Sequence, residues 1–347
     1  MINMLKNNRP GYGVLGLGVG MAHAEAAFAS ENADLVALCD INKDRLNDAA
    51  EAFPGAAAYS DFDDMLADPR VDIVSICLPS GMHAEYAVKA LRAGKHVLCE
   101  KPIDITLEAA EKIEAARLET GLRCGICMQN RNNINMRPIK EAIDSGRMGR
   151  LLFGTFAVKW FRPAGYFSST PWRGTWSMDG GGSLINQSIH TVDIMQWLMG
   201  DVESVVSKMD LFEHDIETED FTASLISFKS GATATFISTT CAYPGLATEI
   251  CVYGTDGSVE ADADRLLTWR MKDSPDYEAE EREMLKKYGQ GNSLSALPVG
   301  HVSMVEDIIA AVRDGRDPQI LPREGMKSLR IIRAIYDSAK SGEKIFL

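Results

Sequence analysis

The chain has 347 residues, 46% of them hydrophobic and 24% charged, and a formal net charge of −13. That length supports two domains with cores of their own. The acidic balance excludes a nucleic-acid partner, because phosphate binding needs clustered cations, and no apolar stretch reaches the length that spans a bilayer.

The first 130 residues alternate strand and helix signals, as a parallel sheet with crossover helices requires. The pattern predicts a strand over 12–17, a helix over 22–30, a strand over 35–39 and a helix near 43–52. Residues 73–78 form a continuous apolar run of the kind a strand buried on both faces shows. A helix over 84–93 ends at Gly94, a strand over 96–99 follows, a helix over 107–119 stops at Gly121, and a strand covers 122–128. Beyond residue 130 the pattern changes. Residues 151–160 read as a strand, 221–228 and 232–239 as a hairpin across Lys229-Ser230-Gly231, and 249–253 as a strand turning at Asp256-Gly257. Residues 276–292 are charged, an exposed loop or helix. Amphipathic helices over 301–313 and 324–340 close the chain. The fold class is therefore α/β: a doubly wound parallel sheet over 1–130, then an α/β domain over 131–347 with a large, mostly antiparallel sheet.

Lys6 and Arg9 precede an apolar stretch that superficially resembles a secretion signal, but glycines at 11, 13, 16, 18 and 20 would break its helix. The seven cysteines are scattered and odd in number. Cys124-Gly-Ile-Cys127 has no second pair to complete a zinc site, so the thiols read as core residues of a reduced, cytoplasmic protein. The six histidines are dispersed, and Asp215, Glu217, Glu219 and Asp220 read as a solvated acidic turn, so no metal site is expected.

A literal G-x-G-x-x-G at Gly11, Gly13 and Gly16 falls inside the first strand, whereas the phosphate turn must follow it. Gly16-Leu-Gly18-Val-Gly20 is the better turn, opening a helix from Met21, with its third glycine one residue earlier than the fingerprint places it. Asp40, ending the second strand beside Ile41, is placed to accept the adenosine ribose hydroxyls. A carboxylate there repels a 2′-phosphate and no arginine follows directly, which favours NAD over NADP. Leu78-Pro79-Ser80 lies at the carboxyl end of the fourth strand. His83 either approaches the cofactor or is a structural histidine at a helix start.

Two further segments are specific: Ala93-Gly-Lys-His-Val-Leu-Cys-Glu100-Lys101-Pro102, and Asp179-Gly-Gly-Gly-Ser-Leu-Ile-Asn186-Gln-Ser-Ile-His190-Thr-Val-Asp193. With the C-terminal run through Ile335-Tyr336-Asp337-Ser338-Ala339, the chain resembles the Gfo/Idh/MocA family of sugar and cyclitol oxidoreductases over essentially its whole length. The resemblance implies a Rossmann domain followed by a domain whose open sheet often serves dimerisation, hence a homodimer or homotetramer. It also implies that Lys101 and His190 share the active site. Many members carry aspartate where this chain has Asn186, and Ser188 replaces a common glycine.

On a helix, Asn186, His190 and Asp193 would lie on one face. Oxidising a secondary alcohol needs a base, which a histidine supplies near neutrality. It also needs a group to hold the oxygen as it becomes a carbonyl, and a lysine beside the nicotinamide ring polarises that oxygen or relays the proton. The expected catalytic residues are thus Lys101, His190 and Asn186. The cofactor set is Gly16, Gly18, Gly20, Met21, Asp40, Ile41, Leu78, Pro79, Ser80, His83, Glu100, Lys101 and Gln129. Trp172 and Arg173 lie in a loop-like stretch rich in aromatic residues and arginines (Trp160, Arg162, Tyr166), which suits a polyhydroxylated ring or a packed core equally. Gln129, Asn130 and Arg131 end the last Rossmann strand as polar lining or as a hinge, and His301 reaches the site from its helix start. The expected substrate contacts are Lys101, Asn186, His190, Asp193, Trp172, Arg173, Arg131 and His301. The expected reaction moves a hydride between a ring hydroxyl of a sugar, glycoside, sugar nucleotide or cyclitol and nicotinamide. A non-catalytic NAD-binding sensor on the same scaffold is the alternative.

Overall fold

The computed structural model describes residues 9–289 and 299–347. Two compact units emerge, one of Met1–Gln129 with Ala296–Met326, the other of Asn130–Ser295 with Lys327–Leu347.

In the first unit β1 (Gly11–Leu15) turns into α1 (Gly20–Ala29). Then follow β2 (Asp34–Cys39), α2 (Lys43–Ala52), β3 (Ala57–Tyr59), α3 (Phe62–Ala67), β4 (Ile73–Ile76), α4 (His83–Arg92), β5 (His96–Cys99), α5 (Leu107–Thr120) and β6 (Cys124–Ile126). The six strands are parallel in the order β3-β2-β1-β4-β5-β6. All four residues of β4 are buried, as a strand covered by helices on both faces must be. The order reverses between β1 and β4, and such a switch point opens a crevice at the carboxyl ends of the strands. Short β3 and α3, with no periodicity to betray them, are additions to the sequence-based outline.

The second unit begins with α6 (Met136–Asp144), β7 (Leu151–Lys159), α7 (Ala164–Ser168) and α8 (Ile189–Met199). It continues through β8 (Val202–Asp210), β9 (Phe221–Phe228), β10 (Thr233–Thr239), β11 (Glu249–Gly254), β12 (Gly257–Ala261), β13 (Leu266–Met271) and α9 (Tyr277–Tyr288). After it come α10 (Val299–Asp314), α11 (Pro322–Ser341) and β14 (Ile345–Phe346). Eight strands form one sheet, β13-β12-β11-β7-β10-β9-β8-β14, antiparallel except for the β7–β10 pair. α8 packs against β7 and β11 and covers one face of that sheet.

One linear cut near residue 130 misses where α10 goes. Its apolar side chains Val305, Ile308 and Ile309 are fully buried, and it packs on α1 and β5 of the first unit. The charged segment near 276 is helical in α9, with Asp276 accepting from the Ala279 N–H as its N-cap. All seven cysteines are free thiols, and Cys124 and Cys127 are fully buried. No helix among the described residues is long and apolar enough to cross a membrane.

Candidate active site

The glycine turn is cut to shape by its neighbours. Gly16 sits at φ +86°, and a Cβ there would stand 2.4 Å from the Cys77 carbonyl oxygen. A Cβ on Gly20 would lie 2.9 Å from Val14 Cγ1 and 3.1 Å from Cys77 Cβ. Gly20 therefore does the work of the fingerprint's third glycine, close helix-to-strand packing, and Met21 needs no replacement for it. Gly18 faces open space, with only the end of Arg45 within 4 Å. No side chain caps α1 among the described residues, whereas Asn42, Asp61 and Thr106 cap α2, α3 and α5. Uncapped amides behind an open glycine turn suit a pyrophosphate.

Asp40 is buried at the end of β2. Its carboxylate accepts the Leu17 N–H at 2.7 Å and the Asn42 N–H at 2.7 Å, which ties the turn to the second strand. No arginine follows Asp40 directly, but one lies within reach of it. One turn into α2, Arg45 brings Nη1 to 3.5 Å from Asp40 Oδ2. Ile41 is 92% exposed, an apolar side chain left in solvent beside Asp40.

Beneath Lys101 lies a buried polar cluster. Glu100 Oε2 accepts the Lys101 N–H at 3.1 Å, and Oε1 lies 3.0 Å from His23 Nε2 and 3.5 Å from His301 Nε2. His23 Nδ1 in turn meets Ser75 Oγ at 2.9 Å, and Ser75 meets the Tyr12 hydroxyl at 2.6 Å. Burial pushes the Glu100 carboxyl up, but its bonds to His23 and His301 outweigh burial and hold it well below the usual range. The histidines are thus not dispersed. His23, Glu100, Cys127 and His301 place their ligand-type atoms within 4.8 Å of one another, a set that could hold a metal ion, as could His214, Asp220 and Cys241. His301 reaches inward to Glu100 and stacks edge-on against His23 at 5.3 Å. His83 is buried, as the structural reading of a histidine at a helix start requires. Its ring nitrogens lie 2.6 Å from the Pro102 carbonyl and 2.8 Å from the Leu78 carbonyl, pinning the segment after β5 to the end of β4. Gln129 opens a short turn after β6 and packs against Gly300 of α10.

In the second unit the glycine triplet wraps a carboxylate. Glu219 accepts the Gly182 N–H at 3.0 Å, the Leu184 N–H at 2.8 Å and the Tyr336 hydroxyl at 3.1 Å. A Cβ on Gly182 would stand 2.0 Å from the Glu219 carbonyl oxygen, so the segment can close only on glycine. Burial raises the Glu219 carboxyl to about 7 against these donors. Asp220 is fully buried too, accepting from the Phe212, Glu213 and His214 amides. Of the acidic turn expected to be solvated, Asp215 and Glu217 are exposed, but Glu219 and Asp220 are buried, because amide donors on the glycine segment and on residues 212–214 receive their carboxylates.

The single helical face expected for Asn186, His190 and Asp193 does not form. Residues Ser183–Gln187 make a wide turn in which the Ser188 N–H reaches back to the Ser183 carbonyl at 3.1 Å, and α8 starts only at Ile189. Asn186 donates to Asp179, whose other oxygen accepts the Gly174 N–H at 2.9 Å. A neutral residue at 186 is thus held by a charge seven positions upstream. Asp193 points away from any substrate role. Arg131 grips both its oxygens at 2.7 Å and Ser328 adds a bond at 3.0 Å. Arg131 is equally committed, and the two expected substrate contacts are a buried structural ion pair. His190 lines a partly open pocket with Asn133, Trp160, Gln187, Thr191 and Thr248.

Trp172 and Arg173 do not line that pocket but belong to an aromatic and cationic group joined to it through Gln187. Arg173 Nη1 donates to the Tyr166 hydroxyl at 2.6 Å, and its guanidinium lies over the Tyr166 and Trp172 rings at 4.5 and 4.7 Å. Gln187 joins the group, donating to Tyr166 and to Asn186 Oδ1, both at 2.7 Å. Gln187 and His23 were not singled out from the sequence, and Glu219 was read there as solvated. Asp179 was visible only as the first residue of the glycine-triplet motif, and Tyr336 only as part of the C-terminal run.

Residues 11–127 match the model described as an oxidoreductase family with an NAD-binding Rossmann fold, and residues 136–260 match that of the GFO/IDH/MocA C-terminal domain. The chain is 30% identical over 266 residues to myo-inositol 2-dehydrogenase of Thermotoga maritima, covering 74% of this chain and 76% of that one. It is 24% identical to scyllo-inositol 2-dehydrogenase (NADP(+)) of Bacillus subtilis, covering 100% and 99%. Among solved structures, the WlbA dehydrogenase of Bordetella pertussis in complex with NADH and UDP-GlcNAcA superposes with a TM-score of 0.91 at 32% identity, covering 98% of each chain. With the parallel nucleotide sheet, the glycine cradle and the histidine-lined pocket, these matches make the chain a member of the Gfo/Idh/MocA family of dehydrogenases and reductases acting on sugar and cyclitol hydroxyl groups.

Proposed function

We propose that the protein oxidises a secondary ring alcohol of a sugar, glycoside, sugar nucleotide or cyclitol with NAD, or reduces the matching ketone, with Lys101 and His190 handling the proton. The open, uncapped glycine turn with Asp40 behind it is the observation that supports a dinucleotide most directly. Bound NAD supplies the hydride acceptor. His190 accepts the hydroxyl proton, Lys101 polarises the oxygen, and Asn186, braced by Asp179, orients the substrate. The ring alcohol also suits the names of the myo-inositol and scyllo-inositol relatives.

NAD is preferred to NADP because the buried Asp40 carboxylate stands where a 2′-phosphate would have to come, while exposed Ile41 offers the adenine an apolar surface. Arg45 works against that preference, so its removal should widen it. The bare face of the eight-stranded sheet, where Phe153, Leu225 and Ile237 are exposed, suits pairing with a second copy.

The test is a panel of sugars, inositols, glycosides and sugar nucleotides assayed for cofactor reduction. Replacing Lys101 by alanine should lower turnover by roughly a hundredfold or more while NADH affinity, followed by fluorescence, stays near that of the wild type. Unchanged turnover would remove the proposed role.

A further inference from the structure

We infer that the substrate is acidic: its ring carries an oxyanion, a carboxylate or a phosphate, received by Arg162 and Arg173 around Tyr166. This deepens the proposed function and rests on it for the location of the reacting hydroxyl.

The two guanidiniums converge on one phenol. Arg162 lies over the Tyr166 ring at 5.1 Å and Arg173 at 4.5 Å, with Trp160 and Trp172 as outer walls at 5.1 and 4.7 Å. Their hydrogen bonds all go to neutral acceptors. Arg162 Nε and Nη2 share Gln187 Oε1 at 3.0 and 2.8 Å, and Arg173 Nη1 takes the Tyr166 hydroxyl. Among the described residues neither arginine has a carboxylate partner, and Arg173 Nε is buried with no acceptor. The chain carries 49 acidic residues against 36 basic ones, and Arg131 in the same unit is held bidentately by Asp193.

Two cations on one ring repel each other, and stacking on aromatic faces offsets only part of that. An external oxyanion would bridge them and fill the open donors, since guanidinium forks match planar or tetrahedral oxyanions bidentately. The placement fits a substituent of the reacting ring. Trp160 and Gln187, which hold Arg162, line the same pocket as His190, so an oxyanion on the guanidiniums leaves the rest of a ring beside that imidazole.

The experiment compares glucose, glucuronate and glucose 6-phosphate, and myo-inositol against inositol 1-phosphate, with the NADH-loaded protein by calorimetry and with NAD by turnover. Binding of an acidic member at least tenfold tighter than its neutral parent is expected, and the carboxylate and phosphate arms tell which oxyanion fits. In R162Q and R173Q that preference should fall about tenfold to a hundredfold, while R173K keeps the charge but not the fork and should fall between. NADH binding certifies that each variant is folded. Equal binding of neutral and acidic members, no binding by any of them, or R-to-Q variants that weaken both alike, would overturn the inference. Tight binding of an acidic sugar without any turnover would leave it standing and count against the proposed reaction instead.

Discussion

Glu100 and Glu219 are both buried carboxylates, each set behind a segment that carries a proposed catalytic residue, and burial alone would raise both. Their partners send them in opposite directions. Glu100 faces two imidazoles, which hold it well below the ordinary range. Glu219 faces backbone amides and a phenol, which satisfy its oxygens without supplying a positive charge, and it rises to about 7. Hydrogen bonds make burial tolerable for both acids, but the direction each one moves depends on which donors surround it.

The comparison breaks most sharply at Glu100. An E100Q variant leaves His23 and His301 without their anionic partner and should lose about 3 to 5 kcal/mol in urea unfolding; a loss below about 1 kcal/mol would mean the imidazoles never depended on it. Because its folded pKa is depressed, Glu100 contributes stability that is present above about 4.5 and is lost as pH falls below that value.

Glu219 should show the reverse sign. Its folded pKa of about 7 exceeds the ordinary 4.5, so the folded state binds the proton more tightly. The stability it contributes is complete below about 4.5 and is lost as pH rises through about 7, a change on the order of 3 kcal/mol. Unfolding midpoints measured from pH 5 to 8 should decline in the wild type and flatten across that window in E219Q. A wild-type slope that survives in E219Q would assign the effect elsewhere.

Smaller effects sharpen the contrast between the two units. In G20A the new Cβ meets Val14 and Cys77, costing about 1 to 3 kcal/mol and weakening NADH binding as α1 shifts from β1. N186D sets a second carboxylate against Asp179, so one of the pair takes up a proton. Its pH–rate profile should move while NADH affinity holds, and a superimposable profile would show that residue 186 is electrostatically idle. The R45A effect on the NAD to NADP ratio should be the smallest, roughly severalfold, because Arg45 is half-exposed.

The parallel half was legible because each of its longer elements buries its own apolar run: β4 and β5 fall within the sequence ranges, α2 matches end to end, and the glycine turn lies after β1 rather than in it. The site was legible only where one residue type does one local job. Asp193 was named as a substrate contact for its place in the histidine motif, and Arg131 for its place at the end of the last Rossmann strand. Sixty-two positions apart, they spend that charge on each other. Asn186 was placed on a helix by its spacing, but the wide turn ahead of α8 sends it to Asp179.

By itself the sequence determined the periodicities, the glycines without which the turns cannot close, and the motifs that name the family, all of which depend on neighbours a few residues away. Tertiary structure alone decided which charges are paired. It buried Glu219, drew His23 and His301 onto Glu100, returned α10 to the nucleotide sheet, and left Arg162 and Arg173 with no acid between them. Electrostatic energies depend on distance in space and on exclusion of water, and neither is written in the spacing of residues along a chain.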